Sequence, residues 1–170
     1  ESTLRCNFFL MGSRMDYEDA GDDLAMLVEE LCSSKRTGQF ANALGIPIPK
    51  IFGKNKETFR IRSELACAYM AVAIHRVNLH VNEKVAKQII DSLLGKSSKY
   101  FLHEIEKNVK GFNNLYSERL AKYFQILRED KPMVGMSFHI YKYLGYDGFG
   151  NLEKQMLISE LLGVCIKNSS

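Results

Sequence analysis

The sequence predicts an all-α protein, a single compact bundle of about seven helices packed around a central alanine-rich helix at about residues 59–79. In that stretch, the ten residues from Leu65 to Ile74 carry no charge, and four of them are alanines. Elsewhere apolar residues recur at helical spacing, and no alternating pattern typical of a half-buried strand is convincing. Glycine, proline and asparagine interrupt the pattern at intervals typical of helix ends.

The central stretch has apolar residues on more than one face, which is typical of a core helix or of a membrane span. A span needs about 20 apolar residues, but charges flank the uncharged run, with Arg62 and Glu64 before it and Arg76 after it. We therefore predict a core helix and no membrane span. Its alanines let neighbouring helices approach closely. The positions expected to be almost fully buried are Leu65, Tyr69, Val72 and Ala73.

The first helix is expected at about residues 16–32, because its opening turns are acidic and suit the positive end of a helix dipole. Its expected core face is Leu24, Leu27, Val28 and Leu31. A short helix at about residues 37–44 is expected to end at Gly45. The segment from Ile46 to Lys56 is the clearest loop, because its two prolines favour an extended path.

The later helices are placed by their caps and breakers. Asn82 is expected to cap the helix after the central one, and Gly95 to end it. Ser97 or Ser98 is expected to cap the next helix, and Pro132 to lie in the first turn of a later one. The expected helices after the central one span about residues 83–94, 97–109, 113–128, 132–144 and 152–166.

Length and composition favour one domain. A chain of 170 residues falls within the usual range for a single domain, so we predict an irregular segment at residues 1–14 and a single helical domain at residues 15–170. The four cysteines lie far apart without a C-x-x-C motif. This spacing is typical of free thiols, and we predict a cytoplasmic protein or one of another reducing compartment. No cofactor is predicted.

Charge is unevenly distributed along the first third of the chain. The net charge of +3 is too small to imply nucleic acid by itself. Residues 11–30 hold seven acidic side chains and one basic one, whereas residues 31–56 hold five basic side chains and no acidic one. This polarity is either neutralised within one molecule or drives self-association. The basic loop at residues 50–56 leaves nucleic-acid binding as a second alternative function.

An acidic cluster begins the first helix. Asp16, Asp19 and Asp22 stand three apart, so a helix places them on one side, and Asp23 lies beside them. Facing carboxylates bind Mg²⁺, so the first alternative function is a metal-dependent enzyme acting on phosphate esters or diphosphates, with Asp16, Asp19, Asp22 and Asp23 as ligands. Such a site needs acids on a facing helix, and Glu104 and Glu106 are the candidates. A solvated helix start explains the same residues and is the favoured interpretation.

Aromatic residues concentrate in the second half, with eleven of the eighteen between residues 100 and 149. Tyrosine is enriched at interfaces. The tyrosines of residues 141–146 cannot all face one core, so we expect Tyr141 and Tyr146 to be exposed. Nucleotide-binding and hydrolase motifs are absent from the sequence. The leading prediction is therefore a non-enzymatic protein that binds another protein or a copy of itself in a regulatory, adaptor or inhibitory role. The predicted partner-binding residues are Tyr141, Tyr146, Lys50, Lys54 and Lys56.

Overall fold

A computed structural model describes residues 17–46, 56–145 and Met156. Within the first two ranges the chain forms seven α-helices and no strand, which confirms the predicted all-α bundle. The helices are α1 (Tyr17–Leu31), α2 (Ser34–Ala43), α3 (Lys56–His80), α4 (Glu83–Lys99), α5 (Phe101–Asn108), α6 (Phe112–Ile126) and α7 (Pro132–Tyr143). Among these helices, none combines the length and the apolar character that crossing a membrane requires.

The longest helix, α3, is the centre of the bundle and contacts each of the other described helices. All four of its alanines in the uncharged run are buried, so neighbours pack against it from several sides. Leu65 and Ala73 are buried as predicted, whereas Tyr69 and Val72 are only partly buried. The predicted central helix is therefore confirmed, with two of its four core positions lying nearer the surface than expected.

Helix α1 packs along α4, and the two run in the same direction. Near the start of α1 its Glu18 backbone carbonyl accepts a hydrogen bond at 3.0 Å from the hydroxyl of Ser92, which lies in the second half of α4. One turn further along both helices Lys96 pairs with Asp22. Between these contacts lies Gly21, where a Cβ atom would stand 2.5 Å from the carbonyl oxygen of Ile89. The missing side chain therefore sets how closely the helices approach.

The predicted core face of α1 was wrong in part. Its buried residues are Ala20, Gly21, Ala25 and Val28. Of the predicted core positions only Val28 is fully buried, and Leu27 is exposed. The reason is that α1 buries its smallest side chains against α4, so the larger leucines are displaced toward the edges of the contact.

The junction between α4 and α5 also differs from the prediction. Helix α4 continues through Gly95 to Lys99, and α5 begins only at Phe101. Tyr100 forms the break, with φ −109° and ψ −92°. Ser97 is buried inside α4 rather than capping a helix. The loop segment 47–55 and, apart from Met156, the helix expected at residues 152–166 lie outside the described residues. The division into residues 1–14 and 15–170 stays a prediction.

Candidate functional site

A buried polar cluster joins the central helix to α6 and α7. Glu64 of α3 is 3% exposed. Its carboxylate accepts hydrogen bonds from the hydroxyl of Tyr123 at 2.6 Å and from Nε of Arg119 at 3.3 Å. The guanidinium carbon of Arg119 in turn lies 3.3 Å from the ring centroid of Tyr143. One buried carboxylate therefore fixes α6 directly and α7 through the arginine.

The environment of this cluster perturbs its protonation. Burial raises the pKa of Glu64, and the hydrogen bond from Tyr123 and the charge of Arg119 oppose that shift. Burial also raises the pKa of Tyr123 well above its ordinary value. A buried charge needs such compensation to be tolerated. The two surface depressions described below are lined by other residues, so we assign this cluster to holding helices together.

A second polar cluster is built on Arg62, two residues before Glu64 on α3. Nε of Arg62 donates to the carbonyl of Cys32 at 2.8 Å, and its Nη1 donates to Glu104 at 2.6 Å. Arg62 thereby joins α3 to the end of α1 and to α5. Sequence reasoning treated Arg62 and Glu64 only as the polar boundary of the buried run. The available signal was that a helix surrounded by neighbours also buries the charged residues next to its uncharged run.

The structure places the acidic cluster of α1 against a lysine. The carboxylate of Asp22 lies 2.5 Å from Nζ of Lys96 and accepts a hydrogen bond from Ser92 at 2.9 Å. These two hydrogen bonds lower the pKa of Asp22. Asp19 and Asp23 are exposed, and Asp16 lies outside the described residues.

No facing acid completes a metal site in the described part of the chain. The helix beside α1 presents Lys96, and Glu104, one of the two expected facing acids, is paired with Arg62. No group of three potential metal ligands among histidine, cysteine, aspartate and glutamate occurs in residues 17–46 and 56–145. The metal-dependent enzyme stays a prediction that these contacts do not favour.

The predicted exposure of Tyr141 was wrong, because this residue is 5% exposed. Helix α7 packs against both α3 and α6, so two adjacent residues, Ile140 and Tyr141, are buried together. Tyr143 is instead half-buried, with its ring against Arg119. Lys56 is the exposed first residue of α3. The other predicted partner-binding residues, Tyr146, Lys50 and Lys54, lie outside the described residues.

The best candidate site is a groove between α1 and the α4–α5 junction, here called the α1–α4 groove. Its floor is formed by three buried residues, Ala25, Ser97 and Phe101. Two exposed apolar side chains stand at its sides, Met26 at 62% exposure and Tyr100 at 49%. Its volume of about 130 Å³ is below the roughly 300 Å³ at which small-molecule pockets begin. The groove therefore suits one protruding side chain of a partner.

The two sides of the groove carry opposite charges. On the α1 side Met26 is followed by Glu29, and on the α4–α5 side Tyr100 lies beside Lys96 and Lys99. The ammonium groups of Lys96 and Lys99 lie 5.5 Å and 5.7 Å from the ring centroid of Tyr100. Lys96 is held by Asp22, whereas Glu29 and Lys99 form no ion pair with another described residue.

Sequence reasoning missed this groove. Tyr100 was counted among the clustered aromatics but was not selected, and Met26 lies outside the core face predicted for α1. The local signal was the sequence from Lys96 to Tyr100, KSSKY, in which one lysine precedes a tyrosine by four residues and a second lysine directly precedes it. Met26 can be assigned to the groove only when α1 is known to pack beside α4, because about 70 residues separate these two helices along the chain.

A second depression lies beside α7 and is wider and more open. It is lined by Glu129, Asp130, Lys131, Val134, Gly135, Phe138 and His139. The Nδ1 atom of His139 is buried without a hydrogen-bond partner in the described residues, and burial lowers the pKa of this histidine. Its charged rim is mixed in sign, and His139 itself is only half-buried. These features define no particular ligand, so the α1–α4 groove is the stronger candidate.

Comparisons with known proteins assign neither surface. The chain matches no protein-family model, no curated protein and no solved structure. The functional proposal below therefore rests on the contacts and charges of this chain.

Proposed function

We propose that the protein acts by binding another protein through the α1–α4 groove, in a regulatory, adaptor or inhibitory role. The observation that carries the proposal is the exposure of Met26 and Tyr100 beside a buried floor. Methionine and tyrosine are enriched where proteins meet. Removing a large apolar side chain from water contributes about 1.5–3 kcal/mol, so a partner that covers both side chains gains affinity from them.

The rim of the groove supports the same proposal. Glu29 lies on one side and Lys99 beside Tyr100 on the other, and neither forms an ion pair with another described residue, so a bound protein has both charges to pair with. Complementary charges at a rim orient a partner and suppress wrong ones. A small apolar recess with polar edges is the arrangement expected of an anchor site for one protruding side chain.

The proposal is tested by photo-crosslinking. A benzophenone amino acid replaces Met26 in the full chain, and the covalent products are identified by mass spectrometry. We expect a protein adduct from this position, and we expect Tyr100→Ala to abolish it because the opposite side of the recess is then missing.

The matched control carries the same photoreactive residue in place of Leu79, which is equally exposed at the end of α3. We expect adducts from this position to differ and to be insensitive to Tyr100→Ala. Absence of any protein adduct from position 26, or identical adducts from both positions, would falsify the assignment of the groove.

A further inference from the structure

We infer that the protein bound in the α1–α4 groove is a second copy of this chain, related by a two-fold axis that runs along the groove. This inference rests on the proposed function and names its partner. Its basis is that the two sides of the groove are complementary to each other. The α1 side presents Met26 and Glu29, and the α4–α5 side presents Tyr100, with Lys99 next to its ring just outside the lining of the groove.

The two-fold arrangement follows from the placement of the charges. The groove has an acidic side with Glu29 and a basic side with Lys96 and the neighbouring Lys99. Rotation by a half turn about an axis along the groove exchanges the two sides. The α1 side of each copy then faces the α4–α5 side of the other, and every contact occurs twice, as in other two-fold interfaces.

In this arrangement each Glu29 meets Lys99 of the other copy, and each Met26 lies against Tyr100 of the other copy. Methionine sulfur packs favourably against aromatic rings. The neighbouring charges do not compete, because Asp22 already holds Lys96 and Glu30 already pairs with Arg36. Among the charged residues that line the groove or lie beside Tyr100, Glu29 and Lys99 are therefore the two without an ion pair to another described residue, and a second copy pairs them with each other.

The oligomeric state of the full chain provides the first test. Sedimentation velocity from micromolar to millimolar concentration should show a reversible monomer–dimer equilibrium, because the recess is small and predicts modest affinity. Glu29→Lys and Lys99→Glu should each abolish the dimer, since each variant opposes like charges twice across the axis.

The decisive test uses mixtures. A chain with Glu29→Lys and a chain with Lys99→Glu should form a one-to-one heterodimer, because one ion pair then keeps its native polarity and the other forms with reversed polarity. The double variant should again form a homodimer. Lys87→Glu changes the net charge equally at an exposed position of α4 and should leave the dimer intact.

The outcomes separate this inference from the proposed function. A monomer at every concentration, or dimers that persist in both single variants without heterodimer formation on mixing, would overturn the two-fold arrangement. If position 26 then cross-links to a different protein, the proposed function stands alone. A cross-link from position 26 only to another segment of the same molecule would overturn both.

Discussion

Glu64 shows how single residues set the energetics of this fold. Its carboxylate lies at the contact of α3 with α6, where water is excluded, and two donors compensate it. Removing one partner of a buried pair typically costs about 3–5 kcal/mol, because the remaining charge is left without compensation. The polar residues of α3 are therefore as important for the bundle as its alanines.

We expect Glu64→Gln to remove part of the pH dependence of the free energy of unfolding. Burial raises the pKa of Glu64 above its ordinary value of 4.5, so the folded chain holds this proton more tightly than the unfolded chain. The stabilising contribution of this group is fully present below 4.5 and is lost as pH rises through the raised pKa of the folded state. Urea titrations of both proteins from acid to neutral pH measure the difference.

A second variant tests in which direction the pKa of Glu64 moves. The hydrogen bond from Tyr123 lowers the pKa of Glu64, so Tyr123→Phe should extend the loss of stability to higher pH. If the wild type and Glu64→Gln differ by the same free energy at every pH in this range, Glu64 does not titrate with a raised pKa.

Residue-level prediction from sequence succeeded where local pattern decides. Leu65 and Ala73 lie inside an uncharged run, and both are buried. It failed for Tyr141, because burial of neighbouring positions on α7 depends on two packing partners rather than on one helical face. It also missed Glu64, because a buried carboxylate is recognisable only with its donors, which lie 55 and 59 residues further along the chain.

At the scale of elements, the contact between α1 and α4 is organised by a glycine. Glycine is a poor helix former, so by propensity alone Gly21 weakens α1. The structure explains why a glycine stands at position 21, because α4 occupies the space that a side chain would need. Tertiary packing here overrides local propensity.

We expect Gly21→Ala to destabilise the protein although it raises helix propensity by about 1 kcal/mol. The new Cβ atom would stand 2.5 Å from both the carbonyl oxygen of Ile89 and Cβ of Ser92, so α1 must move away from α4. Such overpacking costs typically about 1–3 kcal/mol. Thermal and urea denaturation measure the net effect.

The matched control is Gly95→Ala in α4, where an added Cβ meets no atom within 4 Å. This change should stabilise the protein by about 0.5–1 kcal/mol, because only the conformational freedom of glycine is lost. Equal stabilisation by both substitutions would show that α1 and α4 are not in close contact at Gly21.

Element boundaries were predictable where a cap has specific chemistry. The side chain of Asn82 accepts a hydrogen bond from the backbone of Val85 at 3.1 Å, and Gly45 ends the α2 region with φ +67°. Gly95 carried the same sequence signal but lies inside α4. The difference is physical, because continuing a helix through glycine costs little when buried residues on the next turn, such as Ser97, hold it in place.

At the scale of the whole molecule, α3 contacts every other helix that the structure describes. Its alanines predicted this position from sequence, because small residues on several faces permit contact with several neighbours. The α1–α4 groove was not predictable in the same way. It exists only because two helices distant in sequence lie side by side, and the distance between them depends on Gly21.

The amides of α3 should exchange with solvent only when the whole bundle unfolds. Amide hydrogen exchange in dilute denaturant separates local from global opening. Because α3 contacts every other described helix, residues 65–74 should report the global free energy of unfolding and its full dependence on denaturant. The shortest described helix, α5, has eight residues and should exchange through local opening with little dependence on denaturant.

Arg62→Met links this prediction to the polar clusters. Arg62 joins α3 to the carbonyl of Cys32 and to Glu104 of α5. Its replacement should therefore lower the free energy of amide exchange at residues 65–74 by the same amount as the global free energy of unfolding. Protection in α5 should fall further, because its ion pair to the centre is lost as well. Exchange of residues 65–74 before that of α5 would mean that the bundle opens from its centre, and α3 would not be the element on which the others depend.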